Sequence, residues 1–185
     1  MKKKPETLHT RTVARSRLFH VEAVGLRFAN GVEVEYERLR PGLGSGAVLV
    51  VPVRSDGHVV LIREYAAGTD RYELGLPKGR VEKGEDPVAA AGRELREETG
   101  FAAERLECLR QMTVAPGYLA HATHIVLARD LYPSPLPGDE PETIEVVPWP
   151  LTDIDGLLAQ RDLTEARSIA ALFLVREHLR TEQSE

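Results

Sequence analysis

The segment from Gly79 to Phe101, GRVEKGEDPVAAAGRELREETGF, constrains the fold of this chain more than any other. Asp86 followed by Pro87 predicts the start of a helix, because aspartate is a good N-cap and proline at the first helical position loses no hydrogen bond. Gly100 predicts the end of this helix, since glycine readily adopts the left-handed conformation of a C-cap. The spacing also predicts one core-facing stripe along the helix, formed by Val88, Ala91, Gly92 and Leu95.

Acidic side chains occupy another face of the predicted helix. Glu94 and Glu98 are four residues apart and share that face, with Glu97 beside them. Carboxylates stacked in this way repel by roughly 0.2–0.5 kcal/mol per pair, and Arg93 offsets only part of this repulsion. A hard divalent cation would neutralise the cluster, and Mg2+ prefers carboxylate oxygens together with substrate phosphates. A solvated acidic helix face is the alternative for the run by itself, but the loop that begins at Gly79 favours a metal site.

The segment follows the spacing G-x5-E-x7-R-E-U-x-E-E-x-G-U, in which U is a bulky apolar residue, and fills all nine specified positions. This pattern resembles the Nudix box of a family of hydrolases that cleave diphosphates linked to a nucleoside. The resemblance implies an α/β/α sandwich with a mixed sheet. It also implies a Nudix hydrolase domain at residues 41–185, preceded at residues 1–40 by an N-terminal β-hairpin extension for dimerisation or substrate cover.

The resemblance assigns roles to the residues of the box. The implied ligands of Mg2+, or of Mn2+ in its place, are the backbone carbonyl of Lys78 and the carboxylates of Glu94, Glu97 and Glu98. Glu97 is expected as a further ligand or as a proton acceptor. Glu85 is expected to orient the loop or Arg93 from outside the metal shell, and the guanidinium fork of Arg93 suits a clamp on a carboxylate.

Similarity outside the box narrows the substrate. Pro116, sixteen residues beyond Gly100, is similar to a position that marks ADP-ribose pyrophosphatases, and Tyr118 resembles a tyrosine of diadenosine-polyphosphate hydrolases. An ordinary turn is the alternative for this stretch. Four further segments look like the bacterial ADP-compounds hydrolases of the family: TVARSRLF, LIREYA, GDEPE and EARSIAALFLVRE. The resemblance implies hydrolysis of ADP-ribose, diadenosine polyphosphates and NADH to AMP and a second phosphorylated product.

The general base of related ADP-ribose pyrophosphatases lies on a mobile acidic loop ahead of the last strand. The matching segment here is GDEPE at residues 138–142. Glu140 is the expected base, and Glu142 is the alternative as well as a candidate metal contact. An exposed acidic loop without a catalytic role is the other interpretation of this segment.

Cations and aromatic side chains are expected to bind the substrate. The candidates, together with the loop glycine, are Arg40, Arg63, Gly79, Pro116 and Tyr118, with Arg38 as a weaker one. Tyr118 or Tyr72 is expected to stack on the adenine. Phe19 and Phe28 belong either to the core or to the substrate site of a partner, because the resemblance implies a homodimer with exchanged N-terminal strands and a shared site. The histidines at 121 and 124 are interpreted as ordinary strand residues.

Composition excludes several classes of protein. A net charge of −5 argues against a nucleic-acid-binding surface, and no apolar run approaches the length of a membrane span. The lysine-rich start is not followed by the apolar run of a signal peptide. The lone Cys108 excludes an intramolecular disulfide and fits a reducing cytoplasm. Its strand-like surroundings predict a core residue and not a nucleophile.

The remaining sequence predicts alternating strands and turns followed by helices. Asn30-Gly31 between alternating runs predicts a β-hairpin over residues 17–39, whereas residues 1–11 are polar and predicted to be loose. Further strands are expected in GAVLVVPV and HVVLIREY and at 71–74, 104–114, 122–129 and 144–149. Two helices are expected, one near Thr152 and one near Glu165, and the apolar stripe of the second is assigned to the core.

Two other functions share part of this pattern. A Nudix-fold sensor would bind ADP-ribose or NAD-like ligands without cleaving them, but such modules commonly lose the acids that are present here. A nucleoside-triphosphate house-cleaning pyrophosphatase would use the same chemistry without Pro116 and the long N-terminal hairpin.

Overall fold

The computed structural model describes residues 2–41 and 46–182. Within these ranges the chain forms ten strands and three helices. The strands are β1 (Glu6–Arg15), β2 (Phe19–Arg27), β3 (Glu33–Pro41), β4 (Ala47–Val53), β5 (His58–Ala66), β6 (Arg71–Gly75), β7 (Lys78–Arg80), β8 (Phe101–Thr113), β9 (Ala122–Pro133) and β10 (Glu145–Pro150). The helices are α1 (Pro87–Thr99), α2 (Ile154–Leu158) and α3 (Ala166–Glu182).

The N-terminal strands form an antiparallel sheet of their own in the order β1-β2-β3. The predicted hairpin is confirmed, because β2 and β3 pair along their whole length from Phe19↔Pro41 to Arg27↔Glu33. Gly31 lies in the turn with φ of 83°, and the Val32 N–H donates to the side-chain oxygen of Asn30 at 3.1 Å. This is the local chemistry that the Asn-Gly pair predicts.

The prediction that residues 1–11 are loose was wrong, since β1 begins at Glu6 and pairs with β2. Nearly all side chains of β1 are exposed, so the strand buries no regular apolar face that its sequence would reveal. Backbone pairing holds β1 in place, and side chains add a second link. Glu35 of β3 accepts hydrogen bonds from His9 at 3.0 Å and from Arg11 at 2.8 Å.

The central sheet contains seven strands, with β10-β5-β4-β9-β8 as its main path, β6 on β5 and β7 on β4. β4 runs parallel to β9, and the other pairs are antiparallel. β4 contacts β7 through Ala47–Leu49 but β5 only at Val53↔Val59. The two neighbours on this side of β4 therefore diverge, and Pro77 lies between them, where its carbonyl accepts the N–H of Val50 at 2.8 Å.

Helices cover both faces of the central sheet. Alternation along β4 sends Val48 and Val50 into a cluster with Leu95 of α1. Leu49 and Val51 enter the opposite cluster, which includes Leu172 of α3 together with residues of α2. This arrangement confirms the predicted mixed-sheet sandwich, and the stripe of the last helix belongs to the core as expected.

Cys108 is exposed on β8, so its assignment to the core was wrong. The reason is topological, because β8 is an edge strand of the central sheet and its residues 107 and 108 face solvent. β8 also begins at Phe101, directly after the helix end, and β9 continues to Pro133, so both strands are longer than predicted. In the described residues no helix has the length and apolarity needed to cross a membrane.

Candidate active site

The helix α1 has the ends that its sequence predicts. The Asp86 carboxylate accepts hydrogen bonds from the backbone N–H groups of Val88 at 2.9 Å and Ala89 at 3.2 Å. Gly100 is left-handed with φ of 76°, and its N–H donates to the carbonyl of Arg96. These caps fix the start and the rotation of the helix, so that Leu95 is buried in the core while the acidic face points to the preceding backbone.

That preceding backbone forms strand β7, where the sequence suggested only a loop. The Lys78 N–H donates to the Glu98 carboxylate at 2.8 Å. A Cβ on Gly79 would overlap the carboxylate of Glu94, so only glycine allows this side chain to lie against β7. The acids of α1 are therefore packed on the backbone of β7, which is where the sequence placed metal ligands.

Two of the acids are almost completely buried. Glu94 is 8% exposed and Glu98 is 5% exposed. Burial raises the pKa of Glu98 to about 8, against the opposing hydrogen bond from the Lys78 backbone, and the charges of Glu64 and Glu94 raise it further. Burial is also the main cause that raises the pKa of Glu94, with Arg93 opposing it. The neighbouring cations thus do not fully offset the burial of these two carboxylates, and their oxygen donors fit a hard divalent cation.

Arg93 holds the acidic residues in a fixed arrangement. Its Nη1 donates to Glu94 at 2.8 Å and to Glu97 at 3.0 Å. Its Nε and Nη2 donate to the two oxygens of Glu85 at 3.1 and 3.2 Å. Glu85 in turn accepts the backbone N–H of Glu82 at 2.9 Å, so one guanidinium links the loop to the helix. These contacts are compatible with the roles predicted for Glu85 and Arg93.

The acidic face opens into a cleft of about 790 Å³. Its lining combines α1, β7 and the loop between β9 and β10, and includes Glu64, Lys78, Gly79, Glu94, Glu98 and Glu140. A second cleft shares Glu97 and Glu140 with the first and continues along the loop to Glu142. The structure therefore brings the box carboxylates and the predicted acidic loop together.

Glu140 and Glu142 have different surroundings within that loop. Glu140 lines both clefts, its charge acts on Glu94, and its carboxylate folds over Gly138, where a Cβ would overlap it. Glu142 accepts a hydrogen bond from the Tyr72 hydroxyl at 2.6 Å. Of the two candidates for the general base, Glu140 thus lies with the acids of the box.

Other predicted substrate residues lie outside the cleft of their own chain. Arg63 donates to Asp162 at 2.8 Å and to Glu145 at 2.7 Å. It does not line the cleft, although its neighbour Glu64 does, because consecutive side chains of a strand point to opposite faces. Glu64 forms an ion pair with the Lys78 ammonium and was missed by the sequence analysis. In the sequence, only its position next to the predicted substrate residue Arg63 pointed to Glu64.

Arg40, Pro116 and Tyr118 belong to a separate surface, between β3 and the loop that joins β8 to β9. The N–H of Leu39 donates to the carbonyl of Tyr118 at 2.7 Å, and the carbonyl of Leu39 accepts the N–H of Ala120 at 2.9 Å. Tyr118 is 58% exposed, and Phe19 at the start of β2 is 57% exposed. Phe19 is therefore not part of the core of its own chain.

The remaining candidates have local partners. Arg38 donates through Nε and Nη2 to one oxygen of Glu22, both at 3.0 Å, and Arg40 lies 3.8 Å from the same oxygen. Phe28 is half-buried beside the hairpin turn. His124 lies in β9 as predicted, whereas His121 lies just before that strand.

A capped helix whose buried glutamates lie against a glycine-containing strand defines a Nudix hydrolase site. Residues 45–173 match the NUDIX domain and residues 5–38 match the NudE-type Nudix hydrolase N-terminal domain, so this chain belongs to the Nudix hydrolase family. Members of this family generally use divalent metal ions, and the oxygen donors described above fit that use.

Individual relatives extend the similarity over nearly the whole chain. ADP compounds hydrolase NudE of Escherichia coli (strain K12) is 52% identical over 96% of this chain and 94% of its own length. ADP-ribose pyrophosphatase of Bacillus subtilis (strain 168) is 28% identical over 90% and 92% of the two chains. A crystal structure of an ADP compounds hydrolase superposes with a TM-score of 0.90 at 50% identity, covering 98% of this chain and 97% of that one.

Proposed function

We propose that this protein hydrolyses the diphosphate of ADP-linked compounds, namely ADP-ribose, diadenosine polyphosphates and NADH, to AMP and a second phosphorylated product. The observation that carries the proposal is the cleft in which Glu94, Glu98 and Glu140 converge. It occurs in a chain that is 52% identical to an ADP compounds hydrolase over nearly its full length.

Mg2+, with Mn2+ as a substitute, is the proposed metal. Its ligands would be the carboxylates of Glu94 and Glu98, the backbone carbonyl of Lys78, and Glu97 as a further ligand. When bound, the ion screens the phosphate oxygens and lowers the pKa of a coordinated water. The cost of burying two carboxylates supports this assignment, because ionised carboxylates need a compensating cation at such a site.

The protein's own groups position the reactants. Glu140 is the proposed general base that accepts the proton of the attacking water, since its carboxylate faces the same cleft as the box acids. Arg93 holds Glu94 and Glu97 in register through Nη1, and Glu85 fixes that guanidinium from the other side. Gly79 leaves the space in which the carboxylate of Glu94 lies.

Substrate recognition is proposed to involve a second copy of the chain. Arg40, Pro116 and Tyr118 are expected to bind substrate, yet they do not line the cleft of their own chain. Exposed apolar side chains on the N-terminal sheet, Phe19, Val34 and Tyr36, support a homodimer in which residues 1–40 extend from the hydrolase domain at 41–185 towards the partner's cleft. Arg63 stays a candidate for binding the diphosphate of the substrate. The proposed location of the protein is the cytoplasm.

The test is AMP release from ADP-ribose, diadenosine triphosphate and NADH, measured with Mg2+ against a panel of nucleoside triphosphates. Glu97→Gln and Glu98→Gln are expected to lose most of the turnover, whereas Glu104→Gln, on the exposed face of β8, serves as the matched control. Undiminished turnover in both box variants would refute the assigned site. Tight binding of ADP-ribose without any AMP release would instead identify a sensor, and a preference for triphosphates would identify a house-cleaning enzyme.

A further inference from the structure

The Tyr72 hydroxyl forms a long-range link to the acidic loop. It donates to the Glu142 carboxylate at 2.6 Å, although the two residues are 70 positions apart. Tyr72 lies in β6, and Glu142 lies three residues before β10 begins. β6 and β10 pair with opposite edges of β5, so this hydrogen bond joins segments that the sheet itself keeps apart.

The beginning of the same loop is tied to α1. The N–H of Ser134 donates to the carbonyl of Gly100 at 2.9 Å, and the N–H of Leu136 donates to the carbonyl of Arg96 at 3.2 Å. The Arg96 guanidinium returns a hydrogen bond to the carbonyl of Ser134 at 2.9 Å. The loop therefore leaves the C-terminal end of α1 from a fixed position.

Between these two ties lies the segment of residues 137–141, which contains Glu140. Within the described chain, no hydrogen bond is formed by the groups of this segment. The hydrogen bonds that hold this segment near the box carboxylates are therefore those at its two ends, the tie to α1 and the Tyr72–Glu142 hydrogen bond. Losing either tie would let the Glu140 carboxylate move relative to Glu94.

We propose that Tyr72 is a positioning residue for catalysis, and that Glu142 is the tether it holds and not the general base. The Tyr72 hydroxyl fixes the C-terminal end of the acidic loop and thereby keeps Glu140 in the cleft. This inference rests on the proposed function for its kinetic effect. The contact between Tyr72 and Glu142 is independent of which substrate is cleaved.

Tyr65 provides a matched control, because it is as exposed as Tyr72 and belongs to the same ring pair but has a different hydrogen-bond partner. The two rings pack edge to face with centroids 5.7 Å apart, and they are 51% and 49% exposed. The Tyr65 hydroxyl donates to Asp70 at 2.6 Å, within the turn between β5 and β6. Removing this hydroxyl disturbs the same aromatic pair without releasing the acidic loop.

The first measurement does not depend on activity. Glu-C protease is added to the folded protein, and cleavage after Glu142, at the bond to Thr143, is followed by mass spectrometry. Tyr72→Phe is expected to be cut at this bond several times faster than the wild type, because a released loop enters a protease more readily. Tyr65→Phe is expected to match the wild type. Equal rates for the two variants would overturn the tether.

The second measurement is steady-state AMP release. Tyr72→Phe is expected to lower kcat about three- to tenfold, the range for losing a typical hydrogen bond, with KM nearly unchanged. Tyr65→Phe should keep the wild-type kcat. A phenylalanine ring still stacks on adenine, so a role of Tyr72 in stacking alone predicts that Tyr72→Phe keeps the wild-type kcat. An unchanged kcat in Tyr72→Phe would therefore overturn the proposal.

Substitutions of Glu142 separate a tether from a base. Glu142→Gln keeps an oxygen that accepts the Tyr72 hydrogen bond and is expected to retain most of the kcat, whereas Glu142→Ala should resemble Tyr72→Phe. The double variant Tyr72→Phe/Glu142→Ala should have the same kcat as either single variant, since both substitutions remove the same contact. A loss in Glu142→Gln as large as in Glu142→Ala would make the charge of Glu142 essential and refute the tether. If the wild type cleaves no ADP-linked compound, the proposed function fails while the protease measurement still decides the contact.

Discussion

Replacing Glu98 by glutamine is predicted to stabilise the metal-free protein at alkaline pH. Glu98 is 5% exposed, and its burial raises the pKa to about 8 from an ordinary value of 4.5. Glutamine has nearly the same shape and retains an oxygen for the Lys78 N–H, which donates to this position at 2.8 Å. The variant therefore removes the ionisation and leaves the contact in place.

The direction of the predicted change in the free energy of unfolding follows from the raised pKa of Glu98. Since the folded pKa lies above the unfolded one, the contribution of Glu98 to stability is fully present below pH 4.5 and is lost as the pH rises towards 8. The loss accumulates at about 1.4 kcal/mol for each pH unit between these values, up to about 5 kcal/mol. Glutamine carries no such proton, so the free energy of unfolding of Glu98→Gln should exceed that of the wild type by an amount that grows across this range.

The assay is urea unfolding in EDTA from pH 4.5 to 8.5 for the wild type, Glu98→Gln and the control Glu104→Gln. The difference between wild type and Glu98→Gln should be smallest at acidic pH and largest near pH 8, with Glu104→Gln following the wild type. Added Mg2+ should reduce the difference at pH 8, because it favours the ionised carboxylate in the wild type and loses a ligand in the variant. A difference that is constant across the pH range would show that the ionisation of Glu98 does not differ between the folded and unfolded protein.

Four further predictions concern the same site. Gly79→Ala should lower kcat by about 100-fold, because the added Cβ displaces the Glu94 carboxylate, and circular dichroism should show an intact fold. Arg93→Lys should destabilise the protein by about 2 kcal/mol in chemical denaturation, because an ammonium cannot replace hydrogen bonds to three carboxylates; an unchanged midpoint would contradict the clamp. EDTA should abolish AMP release and Mg2+ restore it. Calorimetry at pH 7 in buffers of different ionisation enthalpy should show release of about one proton per bound Mg2+, since Glu98 must ionise.

Features that depend on neighbouring residues could be predicted from the sequence. Asp86 and Gly100 delimit α1 through contacts no more than four residues away, and Asn30-Gly31 determines the hairpin turn in the same way. The spacing of Glu94 and Glu98 placed both on one helix face, and the structure buries both. Each of these results follows from short-range geometry, which a sequence states directly.

Features that depend on distant pairing could not be predicted. β1 exposes most of its side chains, so only its pairing with β2 reveals it as a strand. Arg63 looks available for a phosphate in LIREYA, yet its partners Glu145 and Asp162 lie 82 and 99 residues further along the chain. The Tyr72–Glu142 contact is of the same kind. The spacing of the box is therefore local, whereas the partners of Arg63 and the contact that holds the acidic loop depend on long-range pairing.

The parallel pairing of β4 with β9 has a consequence for synthesis of the protein on the ribosome. Ala47 pairs with Thr123, so β4 emerges long before the strand that completes it. Until residues 122–133 are made, the uncharged segment AVLVVPV has only short strand pairings with β5 and β7, and the edge that pairs with β9 is open. Such a segment is prone to intermolecular association during translation. Pro52, which offers no N–H to an incoming strand, limits that association, and the yield of soluble protein should be sensitive to its replacement.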